Sequence, residues 1–370
     1  MCGTDRPPVI NRSTDSSVSV ENGSNGNHQP EPVINLDHGD PTMYESYWKK
    51  LGEKCRLTIP LCQSLSYFAN TKNLCWFLEP KLEQEIKILH NVVGNAVVED
   101  HHFVVGTGSS QLIQAALYAL SDSLDQPNPV SVVSAAPYYS SYQEIADFLR
   151  SGLSNGQLWL IKPEGWLFMT LPYYWPQYTA ITSPADCDIM LFTVSKCTGH
   201  AGSRIGWALV RDKDVAKKMV KFIEINTIGV SKEAQLRAAS ILEIVSASCQ
   251  RVKPYDLENF FEYSKDFMAE RWKKLRDAVK KNELFSVTKF PRQFCNFTGG
   301  FTEAHPAFAW MKCKEGMDCE KVLREHKILT RSGKRFGSDE EYVRISMLSR
   351  DEEFDLFLQR LPNIIAEEEI

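Results

Sequence analysis

Short apolar runs that alternate with helical periodicity constrain this chain more than any other feature. "PVSVVSAA", "DIMLFTV" and "GWALV" carry one charged residue between them, Asp188. Such near-continuous runs suit strands covered on both faces, as in a parallel sheet. "HHFVV" is a further short strand. Amphipathic stretches lie between and after them. "EPKLEQEIKILHNVVGN" puts Leu82, Ile86, Leu89 and Val93 on one face, with Gly94 at its end. "GTGSSQLIQAALYALSD" is a Gly/Ser turn entering a helix, and three long helical patterns follow Asp212. The alternation predicts an α/β body, a mainly parallel sheet flanked by helices.

At 370 residues, two domains are expected. Residues 1–30, rich in Ser, Asn, Pro and Gly, read as a disordered tail. Residues 31–80 read as an N-terminal arm and part of the small domain. Residues 81–250 form the large domain, and 251–370 a smaller α+β domain with strands in "AFAWMKC" and "YVRISML".

Charge and cysteine usage exclude several classes. Lys and Arg number 42 against 47 Asp and Glu, so no basic excess points to nucleic acid or an anionic membrane. No apolar run reaches membrane-spanning length, and the first residues hold no apolar leader. Ten cysteines show no CxxC pair and no zinc spacing, so no metal is expected. A cytoplasmic setting with free thiols is the expectation.

The chemistry concentrates in "MLFTVSKCTGHAGSRIGWALV", Met190–Val210. A lysine at the end of a buried strand is costly; burial lowers its pKa and makes the amine nucleophilic. Taken alone, such a lysine is more often a surface residue reaching outward. Arg204 changes the balance by supplying a fixed cation beside an imine-forming amine. The amides of "GTGSSQ" open a helix and could cradle a phosphate. An aldehyde-bearing phosphate cofactor, pyridoxal 5'-phosphate (PLP), needs these parts.

This stretch resembles the lysine signature of fold-type I PLP enzymes, through Ser195, Lys196, Gly199, Gly202, Arg204, Ile205 and Gly206. Thr193 and His200 depart from it, where Gly or Ser and an apolar residue are usual. With "INLDHGDP", "NLCWFLEPKLEQEIKILHNVVGNA" and "VRISMLSR", the chain resembles the plant alliinase/tryptophan aminotransferase-related family. The resemblance implies that Lys196 is catalytic, joining the cofactor and then moving a proton. It implies that Arg204, Ser195 and the amides of Thr107, Gly108 and Ser109 hold the phosphate. Tyr139 would stack on the ring, with Tyr138 as the alternative. Tyr173 would bond the ring hydroxyl. Tyr67 would serve a neighbouring subunit's phosphate. Arg344 would grip the substrate α-carboxylate, and the loop at Gly39 would close over it. An arginine inside an apolar strand is otherwise hard to explain. Arg331 has no assigned task. Phe308, Trp310, Trp76 and Phe77 are available for an indole pocket.

The family pattern breaks at 151–172, "SGLSNGQLWLIKPEGWLFMTLP". Family members carry an Asn-Pro-x-Gly turn and then an Asp that pairs with the pyridine nitrogen. This chain has neither. Thr170 stands at the expected Asp position, Glu164 is the nearest acid, and the segment is short by about one strand and its connection, out of a βαβ unit of roughly 30 residues. The resemblance implies a PLP-dependent aminotransferase taking L-tryptophan and a 2-oxo acid to indole-3-pyruvate and an amino acid, the entry to auxin in plants. An alliinase-like C–S lyase is one alternative. The other is a weak isoform acting through a homodimer or a mixed dimer with a related chain.

Overall fold

The computed structural model describes residues 31–121, 131–134, 136–149, 152–155, 168–250 and 258–365, with 131–133 and 152–155 described by backbone alone. The tail expected over 1–30 lies outside the described residues, as does Glu164. All that follows concerns the unit Val33–Ile370.

The N-terminal part supplies β1 (Ile34–Asn35), α1 (Glu45–Leu51), α2 (Pro80–Val93), β2 (His102–Gly106), α3 (Gly108–Leu120), β3 (Ser131–Ser134), α4 (Ser141–Phe148) and β4 (Gly152–Asn155). Then come β5 (Phe168–Thr170), β6 (Ile189–Thr193), the one-turn α5 (Val194–Cys197), β7 (Gly206–Val210), α6 (Lys213–Thr227) and α7 (Lys232–Ser248). The C-terminal part adds α8 (Phe260–Val279), β8 (Phe285–Val287), β9 (Arg292–Cys295), β10 (Gly300–Glu303) and β11 (Phe308–Cys313). It ends with α9 (Cys319–Glu325), β12 (Ile328–Leu329), β13 (Arg331–Ser332), β14 (Tyr342–Ser346) and α10 (Asp351–Arg360).

One sheet has the order β2-β7-β6-β5. β5 and β6 are parallel, whereas β7 runs against both β2 and β6. The connection from β6 to β7 contains only the one-turn α5 and a 3-10 turn, not the crossover helix that a parallel return needs. β3 and β4 form a separate parallel pair. Among the described residues no strand bridges β3 to β5. A second sheet, β13-β14-β11-β8, is antiparallel throughout. β1 pairs in parallel with β12, and Ser346 N donates to Leu36 O at 3.0 Å. The residues leading into the Gly39 loop are thereby tied to the C-terminal sheet.

Helix α2 forms where its sequence places it. Pro80 occupies the first turn, and Gly94 ends it at φ 70, a left-handed value suited to glycine. Leu82, Ile86, Leu89 and Val93 are all buried, each contributing roughly 1.5–3 kcal/mol. The same face carries His90, which the periodicity does not explain. His90 Nε2 accepts from Trp207 Nε1 at 3.0 Å, so its Nδ1–H faces Asn95 Oδ1 at 2.8 Å. Asn95 Nδ2 in turn donates to Tyr174 O at 2.7 Å. A buried polar chain thus runs from β7 through α2 to the tyrosine segment of the site.

Helix α3 begins against β7. A Cβ on Gly206 would lie 2.9 Å from Phe192 O and 3.0 Å from Ser109 N. Only glycine there allows the α3 N-terminus to sit this close to the sheet. Cys313 and Cys319 form a disulfide, Cα atoms 5.5 Å apart, which corrects the expectation of free thiols at these two positions. Residues between them fold the end of β11 onto the start of α9, a proximity that sequence spacing does not reveal. Cys75, Cys187, Cys197 and Cys295 are buried free thiols.

Candidate active site

The strand-end lysine lies in the wall of a cavity of about 770 Å³ between the two sheets. Thr193, one of the two departures from the lysine signature, ends β6 and caps α5. Its hydroxyl accepts from Ser195 N at 3.2 Å and donates to Ile205 O at 2.8 Å. That pins the start of the lysine turn to the far end of the loop. His200, the other departure, packs edge-on against Trp48 at 4.4 Å, and Trp48 Nε1 donates to Thr198 O at 2.9 Å. Tyr178 OH donates to Lys196 O at 3.1 Å, and Gln177 Nε2 to Cys197 O at 2.8 Å. Five side chains therefore fix the backbone that carries Lys196.

Lys196 Nζ donates to Gly39 O. Its pKa falls to about 8: burial is the main cause, with repulsion from Arg344 and Arg204 added and attraction from Asp40 opposing. Arg204 adopts φ 52, a left-handed conformation costly for a residue with a side chain. It places the guanidinium over the start of α3. A Cβ on Gly108, itself at φ 76, would lie 2.6 Å from Arg204 Nη2. Cation and helix N-terminus converge there, as a phosphate requires.

Arg344, in β14, enters from the other sheet. It is buried, with its guanidinium carbon 4.0 Å from the Phe308 ring centroid and 5.0 Å from that of Phe336. Nη2 donates to Asp37 O, while Nε finds no partner among the described residues. Burial and then Arg331 lower its pKa to about 10. A buried guanidinium between two rings, with a donor unsatisfied, is arranged to receive an anion.

Ser109, Tyr139, Tyr173, Ser195, Lys196, Arg204, Gly39 and Arg344 all line this cavity. Thr107 and Gly108 are not among the residues lining it, and the Thr107 N–H is taken by Gln111 Oε1 at 2.7 Å. Tyr173 is edge-on to Phe308 at 5.7 Å, and burial pushes its hydroxyl pKa up. Tyr67 is not in the cavity. It is 58% exposed and packs on Phe68 at 4.6 Å. Phe308 and Trp310 line the cavity, but Trp76 and Phe77 do not, and Phe77 is core. This corrects half of the expected indole pocket: an apolar residue's identity does not say which surface it covers. Phe336 and Tyr142, missed in the sequence, complete the aromatic wall.

Among the described residues the wall carries Lys196, Arg204, Arg331 and Arg344 and no carboxylate. The phosphate and aldehyde ends of PLP fit this set: an arginine over a helix N-terminus, and a desolvated amine across from it. The ring-nitrogen end differs from the family pattern. Thr170 faces the cavity, its hydroxyl 2.5 Å from Tyr142 OH.

Comparison with known proteins agrees with this geometry. The Alliinase_C model, described as Allinase, matches residues 34–160 and 157–365. The two pieces meet inside the shortened segment. Tryptophan aminotransferase-related protein 2 of Arabidopsis thaliana is 51% identical over 388 aligned positions, 96% of this chain and 87% of that protein. The aligned positions outnumber the chain's 370 residues, so the chain lacks residues that this relative has. Alliin lyase of Allium cepa var. aggregatum is 34% identical, over 87% of this chain and 79% of that protein. Among solved structures, a Thermus thermophilus aspartate aminotransferase double mutant superposes with a TM-score of 0.63 at 14% identity, covering 90% and 92% of the two chains. The fold is that of the fold-type I aminotransferases, and by its sequence the chain belongs to the allinase family of PLP-dependent enzymes.

Proposed function

We propose that the chain transfers the amino group of L-tryptophan to a 2-oxo acid, giving indole-3-pyruvate and a new amino acid. The exchange balances by itself, because an amino group and hydrogen on one carbon skeleton replace the oxygen on the other. The observation that carries the reading is the alignment of Arg344, Lys196 and Arg204 in one cavity walled by Phe308, Trp310 and Phe336. Bound PLP supplies the electron-withdrawing ring that acidifies the substrate Cα. Arg204, Ser195 and the amides opening α3 would hold its phosphate, and Tyr139 would stack on its ring. Arg344 clamps the substrate carboxylate through its fork. Lys196 Nζ, its pKa lowered to about 8, would serve as the base and acid that moves the substrate Cα proton. The aromatic wall excludes water and accommodates an indole.

The 51% identity to a tryptophan aminotransferase-related protein supports transamination over lysis. The test is chromatographic detection of indole-3-pyruvate from tryptophan, beside pyruvate release from an S-alkyl-cysteine sulfoxide. Pyruvate without indole-3-pyruvate would reverse the assignment. In plants this reaction is the entry to auxin, and a cytoplasmic location belongs to the same proposal. Recovery of the chain from a membrane-enclosed fraction, with the Cys313–Cys319 disulfide intact after rapid alkylation, would count against that location.

A homodimer is part of the reading. Leu61, Leu65, Tyr67 and Phe68 are 90%, 85%, 58% and 47% exposed along one short stretch, an apolar surface suited to a second copy. Tyr67 would then reach the partner's phosphate. A monomer at micromolar concentration by analytical ultracentrifugation would remove this element.

A weak isoform is the second reading, and Thr170 favours it. Without a carboxylate the ring nitrogen loses a charge-assisted bond, of about 1.5–3 kcal/mol. Thr170→Asp should then raise turnover about tenfold or more; an unchanged rate would show that Thr170 does not face the nitrogen.

A further inference from the structure

Among the described residues four lysine and arginine side chains line the cavity, and the proposed transfer uses three. Arg204 belongs to the phosphate end, Lys196 to the reacting carbon and Arg344 to the α-carboxylate. Arg331 is left over. It sits on β13 directly opposite Arg344 on β14, so both side chains leave the same face of the sheet. Its one side-chain partner among the described residues is Ser140, Nη1 to Oγ at 3.3 Å. No carboxylate lies within ion-pair distance of it among those residues. Like charges placed opposite each other across a strand pair destabilise it, and Arg331 lowers the pKa of Arg344. The arrangement costs the empty protein stability and gains nothing from a structural ion pair.

We propose that Arg331 is a subsite for a second carboxylate, so that the amino acceptor is a dicarboxylic 2-oxo acid of the 2-oxoglutarate class. This rests on the amino-transfer reading, and names the acceptor for the same site. With Arg344 on the α-carboxylate, the neighbouring fork on the same face meets the far end of a short dicarboxylate. The same guanidinium serves an aromatic donor differently. Trp310 is the register partner of Arg344 on the other side, in β11, and an indole lodged between Trp310 and Arg331 would meet the arginine face through cation–π contact. One subsite therefore accepts both an indole and a carboxylate, as a two-substrate exchange through one pocket demands.

The test uses the full chain loaded with PLP, titrated with glutarate and with pentanoate, which match in length and differ by one carboxylate. Binding is read from the cofactor's visible band and from protein fluorescence. The wild type should bind glutarate about tenfold to a hundredfold more tightly. Arg331→Gln should bring that ratio to about one, and Arg331→Lys should leave it between. Ligand-free Arg331→Gln should melt no lower than the wild type, because a like-charge pair is gone; a structural role would lower its Tm. Equal binding of the two acids by the wild type overturns the subsite. So does a preference that survives in Arg331→Gln, or a failure of both variants to fold. If tryptophan is transaminated but glutarate is not preferred, the subsite alone falls. If glutarate is preferred but tryptophan is not transaminated, the function falls and the subsite stands.

Discussion

Lys196 shows how little separates a surface lysine from a reactive one. The residue type is the same; burial and two nearby arginines bring its pKa to about 8, against attraction from Asp40. The free amine is therefore scarce below that value and dominant above it. Capture of PLP by the apoprotein should accelerate as pH rises, with a midpoint near 8. Asp40→Asn removes the opposing charge and should move the midpoint lower, while Arg344→Gln should move it higher. Stopped-flow absorbance across the pH range checks both, and a midpoint indifferent to both changes would contradict the electrostatic account. Lys196, Arg204 and Arg344 were legible in the sequence because each is a charge placed within apolar or glycine-rich surroundings. Arg331 was not, because its meaning depends on a strand register that puts it opposite Arg344. Trp76 and Phe77 misled because an aromatic residue serves core and cavity equally well.

At the scale of elements, close approach does most of the positioning. Gly206 lets the start of α3 meet β7, with Ser109 N only 3.0 Å from where a Cβ would stand. Gly206→Ala should push the two apart, lowering stability by about 1–3 kcal/mol in urea unfolding, and weakening phosphate affinity with it. Unaltered stability would mean the helix shifts freely. His90 ties α2 to β7 and to the tyrosine segment. Burial lowers its pKa from 6.5 to about 4. Below 6.5 the unfolded chain takes up a proton that the folded one refuses, so stability falls as pH drops through that window. The loss at pH 5 is about 2 kcal/mol from this residue, and His90→Asn should flatten the slope. Helix α2 was legible from its stripe of Leu82, Ile86, Leu89 and Val93. The role of His90 was not, since its partners Asn95 and Trp207 come from a turn and a distant strand.

The whole molecule has the fold of the fold-type I aminotransferases. Among the described residues the sheet β2-β7-β6-β5 ends at β5 and β3-β4 form a separate pair, and the family match is in two pieces that meet within 151–172. The strand–helix alternation in the sequence was enough for the fold class. The antiparallel β7 was not readable from it, because an apolar run does not encode strand direction. The disulfide between Cys313 and Cys319 was invisible for a related reason: it depends on how β11 returns to α9. The cavity keeps its set of cations and aromatic walls. In the proposed function this set moves an amino group between carbon skeletons. The direct measurement is mass spectrometry after incubating the PLP-loaded protein with 2-oxoglutarate and L-tryptophan isotopically labelled at its amino nitrogen. Label should appear in glutamate with wild-type protein and be absent with Lys196→Ala. Folded, loaded wild-type protein that leaves the label in tryptophan, or releases it as ammonia, would contradict the account.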